Sequence, residues 1–250
     1  MSAPAVVLFD LDGTLFDHPT AFARGILAHL RSLGEPYTVD DPAETVAAWQ
    51  LAEDRHYERY LAGELDYDGQ RIARAREFTA RFGVTGLDDD ALLDWFAGYH
   101  RDYREAWSAY DDALPALDAL EEALPGVRFG IITNGELALQ LRKVRLIGAA
   151  DRMAEVIASG DVGAAKPDPA IFAHAVERFG VPPADAVYVG DKLRVDALGA
   201  ADAGLRAVWI DRGEVGWGAY AGEAAERGIR RIVSLSELPA LLTPGSPRPR

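Results

Sequence analysis

The sequence predicts an α/β protein whose core is a doubly wound, Rossmann-like parallel sheet, with an all-helical domain inserted after the first strand. Two observations support this prediction. Short apolar runs recur along the chain, and a helix-like segment precedes each of them except the first. The stretch between the first and second runs, from residue 16 to about residue 128, is far longer than an ordinary crossover.

The predicted strands read as continuous apolar runs, which is typical of parallel strands covered on both faces. We place them at Ala5–Phe9, Val127–Thr133, Glu155–Ser159, Ala186–Gly190 and Arg206–Ile210. Ligands of such sheets bind beyond the carboxyl ends of the strands. Conspicuous polar residues follow those ends, namely Asp10, Thr133, Asn134, Lys166 and Asp191. We therefore expect one functional site at that edge of the sheet.

Most of the long insertion reads as helix. Phe22, Ile26, Leu30 and Leu33 share a helical face before Gly34, a typical C-terminal stop. An N-cap and a first-turn proline, Asp41 and Pro42, begin a helix that runs towards Leu61. Further helical patterns cover Gln70–Phe82 and Asp89–Trp107, and Asp112–Leu124 reads as the helix that leads into the second strand.

These patterns predict a domain organisation. We assign residues 16–107 to a helical cap domain and residues 1–15 with 108–242 to the sheet core. Residues 243–250, rich in proline and polar residues, are expected to form a disordered tail. The aromatic and basic residues of the insertion, such as Trp49, Tyr57 and Arg71, are interpreted as helical core or solvated face rather than as pocket lining.

Composition excludes several classes of function. The chain has 26 basic and 40 acidic residues, a net charge of −14, which repels nucleic acid and anionic membranes. Cysteine is absent, so thiolate catalysis and disulfides are excluded and an intracellular location is favoured. The N-terminus lacks the features of a signal peptide, and no apolar run is long enough to span a membrane. We expect a soluble, cytoplasmic protein, monomer or homodimer, with no nucleic-acid or membrane partner.

Two carboxylates, Asp10 and Asp12, follow the first apolar run in the stretch VVLFDLDGTLFD. If the strand continued that far, both side chains would point the same way. Their repulsion at ~4 Å and an effective dielectric of ~20 would be roughly 4 kcal/mol, so a cation is expected beside them. Carboxylate oxygens such as those of Asp10 and Asp191 favour Mg²⁺.

This arrangement suits phosphoryl transfer. A carboxylate such as Asp10 is ionised at neutral pH and can attack phosphorus without an activating base. Because a phosphate ester repels it, cations and hydrogen-bond donors must surround the phosphoryl group. Lys166 is the candidate cation, and Thr133 and Asn134 are the candidate polar groups of a phosphate site. Asp12 could protonate the leaving alcohol and later deprotonate the attacking water.

Four motifs stand in order along the chain, namely DLDGTL from Asp10, ITNG from Ile132, Lys166 in KPDP, and GDKLRVDALGAADAG from Gly190. Together they resemble the motifs of the haloacid dehalogenase (HAD) superfamily. A helical insertion just after the first motif is similar to the cap of the phosphatase branch. The resemblance covers nearly the whole core in the right order.

The resemblance implies a role for each matching residue. Asp10 would be the nucleophile and Asp12 the general acid and base, while Thr133 and Lys166 would hold the phosphoryl oxygens. Magnesium would be bound by Asp10, the main-chain carbonyl of Asp12, and Asp191. Asp196 would support the metal site or the lysine. Lys192 departs from the small polar residue expected after Asp191, and could pair with Asp196 or point to solvent.

The predicted function is a magnesium-dependent phosphatase that hydrolyses a small phosphorylated metabolite, such as a sugar phosphate or nucleotide, through an aspartyl-phosphate on Asp10. Asp12 disfavours a dehalogenase, which need not protonate an alkoxide. A phosphomutase similar to β-phosphoglucomutase keeps both acids and stays an alternative. A binding or regulatory protein on this fold, or a receiver-like phospho-acceptor, is the alternative from another class, although receiver domains lack such an insertion.

Overall fold

A parallel six-stranded sheet forms the core of the first of two units in the computed structural model of the chain, which describes residues 2–243 apart from the side chain of Leu61. Its strands are β1 (Val6–Phe9), β2 (Arg128–Thr133), β3 (Met153–Ala158), β4 (Ala186–Gly190), β5 (Arg206–Ile210) and β6 (Arg230–Ile232). Their order is β3-β2-β1-β4-β5-β6, and every neighbouring pair is parallel. The predicted doubly wound α/β fold is confirmed.

The five predicted strands lie within two residues of the observed ones, whereas β6 was not predicted. Helices of the second unit are α1 (His18–Leu33), α2 (Pro42–Leu61), α3 (Tyr67–Ala80) and α4 (Asp89–Glu105). The first unit contains α5 (Ala113–Ala123), α6 (Leu137–Leu146), α7 (Ser159–Val162), α8 (Pro169–Phe179), α9 (Gly199–Asp202), α10 (Ala221–Glu226) and α11 (Leu238–Leu242), with a π-helical segment over Leu193–Leu198.

The first unit, here called the sheet unit, comprises the residues up to Asp17 and those from Ser108 onward. The second, the helical unit, is His18–Trp107. Phe16 thus belongs to the sheet unit, although the sequence placed it at the start of the insertion. The reason is backbone pairing, because Phe16 bridges Ala109 and the Asp17 N–H donates to the Ser108 carbonyl at 2.9 Å. That the helical unit acts as a cap stays a prediction, and the predicted tail after residue 243 lies outside the described residues.

Local sequence signals explain where the helices begin and end. The Asp41 carboxylate accepts from the N–H groups of Ala43 and Glu44 at 2.8 and 3.1 Å, which caps α2. Asp168 accepts from the Ala170 N–H at 2.9 Å and so caps α8. Gly180 ends that helix in the left-handed region, with φ +64°. None of the helices in residues 2–243 is both long and apolar enough to cross a membrane.

Candidate active site

The first catalytic candidate stands at the carboxyl end of β1. The Asp10 N–H donates to the Val189 carbonyl of β4 at 2.8 Å, and the residue is 6% exposed. The strand ends at Phe9, so Asp10 begins a turn rather than continuing the pleat. Within this turn the Thr14 hydroxyl donates to Asp10 Oδ2 at 3.3 Å. Gly13 makes the turn possible, because its φ of +92° is strained for any residue with a side chain.

Lys166 supplies the cation beside Asp10. Its Nζ donates to Asp10 Oδ1 at 2.5 Å and to Asp196 Oδ1 at 2.8 Å. A third contact, to the Tyr188 hydroxyl at 2.8 Å, completes the three donors of the ammonium group. All four side chains are buried, so these charge-assisted bonds lie in a region of low dielectric. Chain segments far apart in sequence therefore converge on Asp10, as predicted for this sheet edge.

Asn134 fixes the loop that carries Lys166. Its amide nitrogen donates to the Lys166 carbonyl at 3.0 Å, and its amide oxygen accepts from the Lys166 N–H at 2.8 Å. The side chain of Asn134 thus pairs with the backbone of Lys166 and positions it. A direct contact of Asn134 with phosphate stays a prediction. Thr133, which is 1% exposed at the end of β2, accepts from Gln140 Nε2 at 2.8 Å.

Three carboxylates form an acidic cluster, defined here as Asp10, Asp191 and Asp196. One oxygen from each lies within 4.8 Å of the others. Asp191 Oδ1 is buried without a hydrogen-bond partner among residues 2–243, which is costly for an anion unless a cation binds there. The close approach requires Gly13, because a Cβ at that position would clash with the Asp191 carboxylate. The donor set of hard oxygens fits a divalent cation such as Mg²⁺.

Burial and mutual repulsion raise the pKa values of two of these aspartates, Asp10 and Asp191. Burial raises the pKa of Asp10 to about 6, with Lys166 opposing the rise and Asp196 adding to it. Burial, followed by the charges of Asp10 and Asp196, raises the pKa of Asp191 to about 8. Burial alone would lower the pKa of Lys166, but the two aspartates beside it raise that pKa above its ordinary value. The cluster therefore carries more negative charge than Lys166 alone neutralises.

Asp12 has a cation of its own. Lys143 Nζ donates to Asp12 Oδ1 at 2.6 Å, and Gln140 Nε2 donates to Asp12 Oδ2 at 3.0 Å. The two aspartates of the opening motif are thus neutralised by different lysines, Asp10 by Lys166 and Asp12 by Lys143. These two ion pairs offset the repulsion between the carboxylates of Asp10 and Asp12 that was expected from the sequence. A metal contact through the Asp12 main-chain carbonyl stays a prediction.

Lys192, the residue that departs from the family pattern, is exposed. Within residues 2–243 its side chain forms no ion pair with Asp196, but its backbone N–H donates to Asp196 Oδ2 at 2.9 Å. Its charge lowers the pKa of Asp191 only in part, against the larger effect of burial. Asp196 therefore contacts Lys166, Tyr188 and the Lys192 backbone, which agrees with a supporting position.

Sequence reasoning missed four polar side chains of the site. They are Thr14, Tyr188, Gln140 and Lys143. Thr14 stands inside the quoted first motif, where only the aspartates were singled out. Tyr188 lies in the middle of an apolar strand and reads as core. Gln140 and Lys143 share one face of α6, a spacing that identifies neighbours on a helix but not what they contact.

Comparison with known proteins shows which family the chain resembles. A family model described as haloacid dehalogenase-like hydrolase matches residues 4–204. The glyceraldehyde 3-phosphate phosphatase of Methanopyrus kandleri is 31% identical over 210 residues, which are 83% of this chain and 84% of that protein. The phosphoserine phosphatase of Thermus thermophilus is 46% identical over 157 residues, 54% of this chain and 62% of that protein.

A solved structure shows the same fold. YfnB from Bacillus subtilis matches with a TM-score of 0.77 at 20% identity, covering 96% of this chain and 99% of that one. The predicted superfamily and the predicted class of enzyme, a phosphoric monoester hydrolase, are confirmed by the family model and the relatives together. The chain belongs to the haloacid dehalogenase-like hydrolase family.

Proposed function

We propose that this hydrolase is a magnesium-dependent phosphatase, which cleaves a small phosphorylated metabolite through an aspartyl-phosphate on Asp10. One observation carries the proposal. The two aspartates of the first motif have separate environments, since Asp10 lies in a buried cluster with Lys166 and Asp196, whereas Asp12 contacts Lys143 and Gln140. Two carboxylates with different surroundings are suited to different tasks.

In the first step an oxygen of Asp10 attacks phosphorus. The bond from Asp10 to phosphorus forms as the bond from phosphorus to the leaving oxygen breaks, and Asp12 gives its proton to that oxygen. In the second step water attacks the same phosphorus and gives a proton to Asp12. Asp10 then leaves as a carboxylate and inorganic phosphate is released. Lys166 and the Thr133 hydroxyl would bind the phosphoryl oxygens, whose negative charge must be neutralised in the transition state.

Asp10 and Asp191 would hold Mg²⁺, with Asp196 beside them. When bound, the ion would neutralise the charge that the nucleophile and the phosphoryl group share. Support comes from the acidic cluster itself, where Asp191 Oδ1 lacks a hydrogen-bond partner among the described residues. The raised pKa values of Asp10 and Asp191, about 6 and about 8, agree with a site that needs more positive charge.

The substrate class follows from charge and from the relatives. A chain with a net charge of −14 repels large polyanions, so a small ester is favoured. Two relatives are named for small phosphorylated metabolites, glyceraldehyde 3-phosphate and phosphoserine. We infer that the substrate is a phosphorylated metabolite of that size, and that the helical unit determines which one.

The test is hydrolysis of p-nitrophenyl phosphate by the purified protein with and without Mg²⁺. We expect turnover that EDTA abolishes, and Asp10→Asn should reduce it at least about 10⁴-fold, because the nucleophile is lost. Asp111→Asn, which changes an exposed aspartate in the same way, is the matched control. Unaltered turnover in Asp10→Asn would refute the nucleophile, and an inactive wild-type protein would favour a binding function.

A further inference from the structure

Helix α6 carries two buried polar side chains, Gln140 and Lys143, called here the α6 pair. They are 3% and 5% exposed and lie three positions apart, so they occupy one helix face. Burying an amide or an ammonium group costs free energy unless it finds a partner. Both donate hydrogen bonds to residues of the candidate active site.

The first partner is the carboxylate of Asp12. Lys143 donates to one of its oxygens at 2.6 Å and Gln140 donates to the other at 3.0 Å. With one donor for each oxygen, rotation of the carboxylate plane is opposed from both sides. The Asp12 side chain is 28% exposed while that of Lys143 is 7% exposed, so the α6 pair holds Asp12 from its buried side.

The second partner is the hydroxyl of Thr133, which Gln140 Nε2 approaches at 2.8 Å. The amide nitrogen has two hydrogens, and its nearest acceptors are Thr133 Oγ1 and Asp12 Oδ2, at 2.8 and 3.0 Å, while the Asn134 carbonyl lies farther away at 3.3 Å. These acceptors fix the amide with its nitrogen towards the site. Because Thr133 Oγ1 then accepts from Gln140, its own hydrogen is left to donate in another direction.

The ITNG motif leaves room for this amide. A Cβ at Gly135 would lie 3.1 Å from Gln140 Nε2, and the φ of +143° at that glycine disfavours a side chain. Gln140 Oε1 is buried without a hydrogen-bond partner in the described residues, so the amide is oriented by its nitrogen alone. The two hydrogens of the amide nitrogen thus face three oxygens, of which those of Thr133 and Asp12 are the nearest.

We propose that the α6 pair consists of positioning residues, which hold Asp12 for proton transfer and, through Gln140, direct the Thr133 hydroxyl towards the phosphoryl group. This inference rests on the proposed phosphatase function. The consequence is a dependence on the leaving group. A poor leaving group needs the proton of Asp12 while its bond to phosphorus breaks, whereas p-nitrophenolate departs without it.

The test compares phenyl phosphate with p-nitrophenyl phosphate, two esters of similar shape. In Lys143→Met we expect kcat/KM for phenyl phosphate to fall about 10- to 100-fold, since Asp12 loses the ammonium group that donates to its Oδ1. For p-nitrophenyl phosphate we expect a fall of less than about threefold. Lys143→Arg, which keeps a cation, should recover part of the loss. Arg142→Met removes an exposed cation from the same helix and should change neither ester.

Gln140→Leu is the second variant, and it keeps the test decisive if Lys143→Met fails to fold. It should lower kcat/KM for both esters, because Thr133 is affected, and lower it further for phenyl phosphate. Equal losses for the two esters in both variants, with a lowered thermal midpoint, would show a purely structural role and overturn the inference. Wild-type protein that hydrolyses neither ester would instead overturn the proposed function and the inference with it.

Discussion

Both units of the molecule have apolar interiors, but the sheet unit also buries a cluster of charged side chains at one edge. In the helical unit Trp49 is fully buried against the rings of Phe78, Trp95 and Tyr99, at centroid distances of 4.9, 5.6 and 4.9 Å. In the sheet unit the edge beyond β1 buries Lys166 between Asp10 and Asp196. Packed aromatic rings stabilise a fold, whereas buried ions carry a desolvation cost. A buried cluster of charged side chains therefore lowers stability, and its position indicates the functional site.

One residue of the helical unit qualifies this contrast. Arg74 is 5% exposed and pairs with Glu53 at 3.2 Å. Its guanidinium also lies over the rings of Trp49 and Phe96, 4.6 and 5.0 Å from their centroids. The charge is compensated by one carboxylate and two aromatic faces, so no surplus of like charge arises. The acidic cluster of the sheet unit has that surplus, and this is the feature that distinguishes the two interiors.

The largest effect is expected for Lys166→Met. It leaves two buried carboxylates without their cation, which should cost about 3–5 kcal/mol in the free energy of unfolding. Loss of the charge that faces the phosphoryl group should also lower kcat/KM for p-nitrophenyl phosphate about 10³-fold. Urea unfolding and steady-state kinetics measure the two effects. Lys192→Met, which removes an exposed lysine near the same carboxylates, is the control, and equal effects in the two variants would contradict the prediction.

Trp49→Ala tests the aromatic interior. Removing a fully buried indole should lower the free energy of unfolding by about 3–5 kcal/mol, through lost burial and the cavity that remains. At a temperature where the variant is folded, kcat/KM for p-nitrophenyl phosphate should fall much less than in Lys166→Met, because no charge of the acidic cluster is altered. A loss of kcat/KM as large as that of Lys166→Met would contradict the expectation that the aromatic interior of the helical unit contributes to stability rather than to the chemistry.

Magnesium should stabilise the protein in a pH-dependent way. The pKa values of Asp10 and Asp191, about 6 and about 8, exceed the ordinary value of 3.8. The two groups therefore stabilise the folded state most at a pH below the ordinary aspartate pKa. Their contribution to the free energy of unfolding is lost as the pH rises through about 6 for Asp10 and about 8 for Asp191.

A cation that binds the ionised carboxylates offsets this loss. We expect the rise in Tm on adding Mg²⁺ to EDTA-treated protein to be a few degrees larger at about pH 9 than at about pH 6. Differential scanning fluorimetry at the two pH values measures it, with Ca²⁺ as a comparison ion. Equal rises at both pH values would show that the acidic cluster does not bind the cation.

The smallest effect is expected for Arg212→Met. Arg212 donates to the Thr14 carbonyl at 2.8 Å and forms two hydrogen bonds with Asp112 at 2.9 and 3.1 Å. It thus ties the turn after Asp10 to the start of α5, in a partly exposed position. Loss of these bonds should cost about 1–2 kcal/mol and lower kcat/KM a few-fold. Urea titration and the p-nitrophenyl phosphate assay, with Arg145→Met as an exposed control, would detect the difference.

The positions of five strands and the edge that carries the candidate site could be predicted, because apolar runs and their polar ends are local signals. The order of the strands in the sheet was not predicted. Strand β6 was missed, since Arg230–Ile232 contains two arginines and only three residues. This strand forms because it pairs with β5, a tertiary contact that the sequence of these three residues does not indicate. The boundary at Phe16 was placed too early for the same reason, because its partner Ala109 is distant in sequence.

The site was predictable only where a motif marks it. Asp10 and Lys166 follow strand ends, and their contact at 2.5 Å could be expected from topology. The α6 pair could not, because Gln140 and Lys143 are ordinary residues on a helix until the fold brings Asp12 and Thr133 to them. For Asn134, its place beside Thr133 suggested a phosphate contact, which stays a prediction, whereas the pairing of its amide with the Lys166 backbone could not be read from the sequence.

Gly13 places the main chain so close to Asp191 that even a methyl group would collide with that carboxylate. An alanine at this position would therefore displace the Asp191 carboxylate and strain the turn after Asp10, while leaving every ionisable group of the acidic cluster in the sequence. Such a variant would separate the shape of the candidate site from its charge.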